Sequence, residues 1–135
     1  MKTLFIVPAF LLVAFASCKK PITEPNSGIY RGSFFKIYNN GDTAGQGVAV
    51  LALTSGGESF QLSGDSTTGA PLSCHGDYII NSSTQMTFTD YSNVYFGYDQ
   101  YNLLDTTYNY TFDDHIFYLS LKIDTTLYEY NLVRN

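Results

Sequence analysis

LLDTTYNYTFDDHIFYLSLKIDTTLYEYNLVR, residues 103–134, alternates apolar and polar side chains for most of its length. Tyr108, Tyr110 and Phe112 share one parity, as do Phe117, Leu119 and Leu121, and again Tyr128, Tyr130 and Leu132. A period of two puts successive side chains on opposite faces, which is the pattern of strands with one buried and one wet face. The alternation breaks twice, at Asp113-Asp114 and at Asp124-Thr125, and short polar residues of this kind favour tight turns. Three antiparallel strands are therefore predicted, over 103–112, 115–123 and 126–134.

The same reading extends back along the chain. A strand over 28–38 meets the turn Asn39-Asn40-Gly41-Asp42, whose Asn-Gly step favours positive φ. A second strand spans 47–54 and turns at Ser55-Gly56-Gly57; a third spans 58–64, with Phe60 and Leu62 alternating with Ser59, Gln61 and Ser63. Residues 65–71 read as loop. Strands over 72–81 and 85–90 follow, and a long Tyr- and Asn-rich connection covers 91–102. Helix is nearly absent. Eight short strands in a meander leave two exposed edges, and closure into a barrel removes them. The expected fold is all-β, an eight-stranded antiparallel up-and-down barrel, with a β-sandwich as the alternative. Its inward set is Tyr30, Phe34, Phe60, Leu62, Tyr78, Ile80, Met86, Phe88, Tyr108, Tyr110, Phe112, Phe117, Leu119, Leu121, Tyr128, Tyr130 and Leu132.

Composition narrows the function. The chain has 135 residues, 16 % aromatic and 14 % charged, with a formal net charge of −5. That suits one folded domain and offers no basic surface for a phosphate backbone, so nucleic acid is not an expected partner. Two Cys and two His are too few for a zinc site or a disulfide framework, and no metal or cofactor is expected.

The amino-terminal stretch sets the expected location. MKTLFIVPAFLLVAFASC carries Lys2, an apolar run from Leu4 to Phe15, the small residues Ala16 and Ser17, and then Cys18. A run of about 12 apolar residues is too short to span a bilayer and reads as a signal peptide. Phe15-Ala16-Ser17-Cys18 resembles the lipobox of bacterial lipoproteins, with Phe where the usual pattern has Leu. The resemblance implies lipidation of Cys18, cleavage on its amino side and a permanent anchor. Loss of residues 1–17 would remove Lys2 alone among the charges, taking the net charge from −5 to −6. Residues 18–27 read as the lipidated Cys and a polar, Pro-bearing tether, and 28–135 as the barrel domain. With two Lys directly after Cys18, where surface-exported lipoproteins of this kind tend to be acidic, the resemblance implies the periplasmic face of the outer membrane over the cell surface.

Gly28-Ile29-Tyr30-Arg31-Gly32, the strand order and Tyr128-Glu129-Tyr130-Asn131-Leu132 resemble small lipocalin-like, calycin-type barrels attached to Bacteroidetes lipoproteins. Tyr30 stands where lipocalins usually carry Trp. The resemblance implies an extracytoplasmic binding domain of unassigned ligand.

Candidate chemistry is sparse. Cys74 and His75 are adjacent in a strand and face apart, which suits a buried thiol and a surface imidazole better than a catalytic pair. Asp113, Asp114 and His115 could offer oxygens to a hard cation, but consecutive residues rarely converge, and a hairpin turn is expected. Carboxylates for glycoside hydrolysis sit at predicted turns, so the chain is not expected to be an enzyme; a hydrolase is the least favoured reading. The segment 90–101 is the best binding candidate. Tyr91, Tyr95, Tyr98 and Tyr101 offer flat apolar faces with polar tips to a small molecule, a glycan or a protein; the competing reading is a lid that closes one barrel end. Thr43, Ser66, Thr106 and Thr125 each follow Asp and resemble sites of O-linked glycosylation on exported Bacteroidetes proteins. A filled barrel with a structural role and a protein partner is the alternative function.

Overall fold

The structure is a computed structural model that describes residues 24–56, 58–64, 71–92 and 99–135. Its eight strands are β1 (Gly28–Tyr38), β2 (Thr43–Thr54), β3 (Ser59–Ser63), β4 (Cys74–Ile80), β5 (Gln85–Asp90), β6 (Thr107–Asp113), β7 (Ile116–Ile123) and β8 (Thr126–Arg134). Each pairs antiparallel with its sequence neighbour, and β1 pairs with β8 from Tyr30↔Arg134 to Tyr38↔Thr126. This is the closed up-and-down barrel expected from the alternation, not a sandwich.

Strand direction sorts the connections. The start of β1, the β2–β3, β4–β5 and β6–β7 turns and the end of β8 lie at one end, called here the near end. The β1–β2 and β7–β8 turns and the two longer connections, β3–β4 and β5–β6, lie at the far end.

Burial follows parity. β6 alternates exposed and buried residue by residue, with Tyr108, Tyr110 and Phe112 inside. The whole predicted inward set is buried except Ile80, which is half-buried against the core. Ala49, Leu51 and Leu53 join it; the run Val48–Leu53 is apolar at every position, so only its register, Tyr30↔Leu51 and Gly32↔Ala49, decides which residues face in. At Gly32 the strands come so close that a Cβ would lie 1.8 Å from the Asn131 carbonyl oxygen, which excludes any side chain there without backbone movement.

Two aromatic groups fill the interior. Near the chain entrance Tyr30 meets Phe117 at 5.3 Å and Phe112 at 6.2 Å, edge to face, and Tyr110 meets Phe117 at 6.1 Å. Across the middle, Phe34, Tyr130, Tyr108, Phe88 and Phe60 form a chain with centroid spacings of 4.9, 6.1, 5.9 and 5.1 Å. Such tilted and edge-on pairs add to the burial of apolar area. The hydroxyls at the ends are satisfied by backbone: Tyr30 donates to Asn26 at 2.6 Å, Tyr110 to Ser82 at 3.0 Å and Tyr108 to Leu103 at 3.1 Å.

Several strand boundaries differ from the expectation. β6 begins at Thr107, because Leu103 and Leu104 are consecutive, both buried, and cap the core at the far end instead of alternating. A 3-10 turn, Gln100–Asn102, precedes them, with Asp99 as its N-cap. β2 starts earlier, at Thr43, where Ile37↔Thr43 pairing lies beyond a register irregularity at Lys36/Ile37. β4 is shorter, starting at Cys74 after Pro71-Leu72-Ser73. The β6–β7 turn is Asp114-His115, with Asp114 at φ 50°.

Candidate functional site

Three strands place polar side chains on one outer flank. Register sets Thr54 opposite Ser59 and Ser59 opposite Asp77; one pleat along, Ala52 lies opposite Gln61 and Gln61 opposite His75. These positions are the outward partners of buried Leu53, Phe60, Leu62 and Cys74, so the core that fixes the sheet also fixes the row of polar groups. They line an open concavity of about 450 Å³, whose wall is completed by Tyr91.

Tyr91 continues the β4–β5 pairing for one residue, its N–H donating to the His75 carbonyl at 2.9 Å. Tyr91 is 53 % exposed. The phenol donates to Asp77 Oδ2 at 2.9 Å, and that hydrogen bond and the Asp77 charge raise the Tyr91 pKa. The hydroxyl therefore stays protonated, and among the described residues Tyr91 is the one side-chain donor to the Asp77 carboxylate.

His75 and Ser92 also meet here, with Ser92 Oγ 3.3 Å from His75 Nδ1. The arrangement is not that of a Ser–His pair. Ser92 Oγ donates its one proton to Asp90 Oδ1 at 2.5 Å and accepts the His75 backbone N–H at 2.8 Å. A serine activated by histidine instead has its proton aimed at the imidazole nitrogen. The Ser92–Asp90 contact holds the chain where it leaves β5.

At the far end a second cluster fastens the 3-10 turn to the barrel. Asp99 accepts from Lys36 Nζ at 2.5 Å, from the Tyr128 hydroxyl at 2.9 Å and from the Tyr101 N–H at 3.0 Å. Tyr101 packs on Tyr128 with centroids 5.6 Å apart, and the Lys36 ammonium lies 5.6 Å from the Tyr128 ring centre. Burial works against ionisation of Asp99, but hydrogen bonds from Lys36, Tyr101 and Tyr128 and the Lys36 charge outweigh it and hold the carboxyl below its usual range.

The structure thus gives the tyrosines of 91–101 different surroundings. Tyr91 faces solvent on the flank, whereas Tyr101 is half-buried and closes the far end as a lid would. Tyr95 and Tyr98 lie outside the described residues, as do Cys18 and Ser66. Of the other glycosylation candidates, Thr43 and Thr125 are exposed, and Thr106 is half-buried with its carbonyl accepting from the Phe88 N–H at 3.0 Å. Cys74 is buried, and burial pushes its thiol up to about 12. Asp114 and His115 pair with each other at 3.2 Å on the exposed β6–β7 turn. Among the described residues no three His, Cys, Asp or Glu side chains converge as a metal site would require.

The flank was not legible as a site from sequence, because Thr54, Ser59, Gln61, His75 and Asp77 become neighbours only through the register of β2, β3 and β4. Comparison with known proteins gives no match to a family model, to a curated protein or to a solved structure.

Proposed function

We propose that the chain is a lipid-anchored, non-enzymatic binding module of the cell envelope, held by Cys18 on the periplasmic face of the outer membrane. It binds a polyhydroxylated ligand, a glycan, on the flank of β2, β3 and β4. The observation that carries the binding reading is the pairing of an exposed aromatic face with a carboxylate that it orients, Tyr91 with Asp77. Apolar sugar faces stack on such rings, while carboxylate, amide and hydroxyl groups read the hydroxyls. Gln61, Thr54 and Ser59 supply those groups along the same concavity. The anchor is supported by the order of charge, apolar run, small residues and Cys in residues 1–18.

The binding reading is tested by titrating neutral oligosaccharides into isotope-labelled protein and following amide shifts. Perturbations should gather at Gln61, His75, Asp77 and Tyr91 and vanish in Tyr91→Ala. Shifts spread evenly over the barrel, or unaffected by the substitution, would refute it.

A second reading is favoured by the ring chain from Phe34 to Phe60, which occupies the space where a lipocalin holds its ligand. In that reading the barrel is a structural envelope element that meets a protein partner through its outer surface.

A further inference from the structure

Four of the five exposed large aliphatic side chains among the described residues lie at one end of the barrel, and the fifth, Val48, sits mid-strand on β2. Among the described residues Ile29, Ile79, Ile116 and Val133 are 47, 58, 57 and 51 % exposed, and each lies first or second from the near-end tip of its strand. Three of them are contiguous. Ile116 lies directly opposite Val133, and Val133 lies opposite Arg31, one pleat from Ile29. Arg31 in turn faces Val50, so the row carries an exposed guanidinium amid aliphatic surface. Apart from Val48 in the middle of β2, the other exposed large apolar residues, Tyr38 and Tyr91, lie toward the far end and bear hydroxyls.

The chain's own path identifies what covers this rim. Arg134 Nη2 donates to the Ser27 carbonyl at 2.8 Å, and Tyr30 donates to the Asn26 carbonyl. Pro25 is buried. The segment before β1 is thereby clamped to the near end as far as Pro25, and Glu24 is only six positions along the chain from Cys18. An extended chain gains at most about 3.6 Å per residue, so Cys18 lies within roughly 22 Å of Glu24, at the same end of the barrel as the aliphatic rim. That is shorter than the ~30 Å length of a nine-residue strand such as β8.

We propose that the near-end rim formed by Ile29, Ile116 and Val133 is a membrane-resting surface, seated on the zwitterionic headgroups of the bilayer that holds Cys18. The inference rests on the lipid anchor proposed above. Aliphatic side chains enter the boundary between headgroups and acyl chains, and Arg31 lays its stem along them and reaches a phosphate. Glu24, Glu58, Asp113 and Asp114 at the same end disfavour a strongly anionic surface. Seated on β7, β8 and β1, the barrel turns its far end and its β3–β4 side toward solvent, leaving the Tyr91 flank open.

The test uses the full chain, purified from membranes with its lipid and reconstituted in phosphatidylcholine vesicles. An environment-sensitive dye is placed at Ile116→Cys, at Thr125→Cys on the far end, or at Thr89→Cys on the opposite flank; Cys74 is buried and spared. Brominated lipid should quench the label at 116 about threefold or more over that at 125 and 89, as expected for side chains seated 5–10 Å into the interface. Ile29→Ser with Val133→Ser, both at exposed sites, should abolish the difference while the fold is kept. Equal quenching at all three positions in a chain whose mass shows lipid at Cys18 overturns the rim and leaves the anchor. A mass without lipid overturns both.

Discussion

Replacing Asp99 should loosen one end of the barrel by an amount that can be worked from its contacts. Its carboxylate accepts three hydrogen bonds, from Lys36, Tyr128 and the Tyr101 N–H. Hydrogen bonds to a charged group contribute about 1.5–3 kcal/mol each when shielded from water. Here the Lys36 and Asp99 side chains are 19 % and 28 % exposed, so water replaces part of what is lost and the sum must be discounted. For Asp99→Ala the expected loss is about 2–3 kcal/mol, read by urea unfolding at pH 7. Local opening should show first at the amides that depend on the turn, Leu103 N–H to the Gln100 carbonyl and Leu72 N–H to the Asn102 carbonyl. Their hydrogen exchange should quicken by about tenfold or more, since 1.4 kcal/mol is a factor of ten. The pH dependence has a definite sign. The Asp99 pKa is lowered on folding, so its stabilisation is complete above the unfolded carboxylate value near 3.9 and fades as pH falls through the lower folded value. The gap between native chain and variant should narrow in acid below about pH 4. A loss under half a kilocalorie at neutral pH, or a gap unchanged down to pH 2, would refute the clamp.

Three further expectations concern the core. The Tyr130 hydroxyl is fully buried and finds no partner among the described residues, so Tyr130→Phe should raise stability by up to about 1–2 kcal/mol, whereas Tyr108→Phe should cost about 1 kcal/mol by orphaning the Leu103 carbonyl; thermal unfolding separates the two signs. Leu119→Ala, at a site with no exposure, should cost about 2–5 kcal/mol by urea unfolding, and a loss below half a kilocalorie would place Leu119 outside. Cys74, held protonated by burial up to about 12, should react with a thiol reagent at pH 8 only as fast as the chain unfolds, and fast labelling of folded protein would contradict its place in the core.

How much of this was legible depended on whether a strand's two faces differ chemically. In β6, β7 and β8 apolar rings alternate with Asn, Thr, Ser, Lys and Glu, and parity alone named the inward residues correctly. In β2 it could not. Val48, Val50 and Ala52 face out while Ala49, Leu51 and Leu53 face in, and both sets are apolar. Leu103 and Leu104 misled for a different reason: a capping pair buries consecutive residues, and a strand pattern assigns one of them to solvent. The binding flank was hidden because its members are ordinary polar outward positions on three strands. Of its members the sequence marks Tyr91 as a binding residue, for its place in an aromatic connection and not for its reach to Asp77, and His75 only as a surface imidazole beside Cys74. The Asp99 clamp joins residues 63 positions apart in sequence, and no local pattern announces such a pairing.

The mature amino terminus tests the account most directly. Intact-mass and fatty-acid labelling measurements on the chain recovered from membranes should find it beginning at Cys18 and carrying acyl chains, with label and membrane retention lost in Cys18→Ser. A mature chain that begins at another residue, or one that keeps its label in the Cys18→Ser variant, would contradict the anchored binding module.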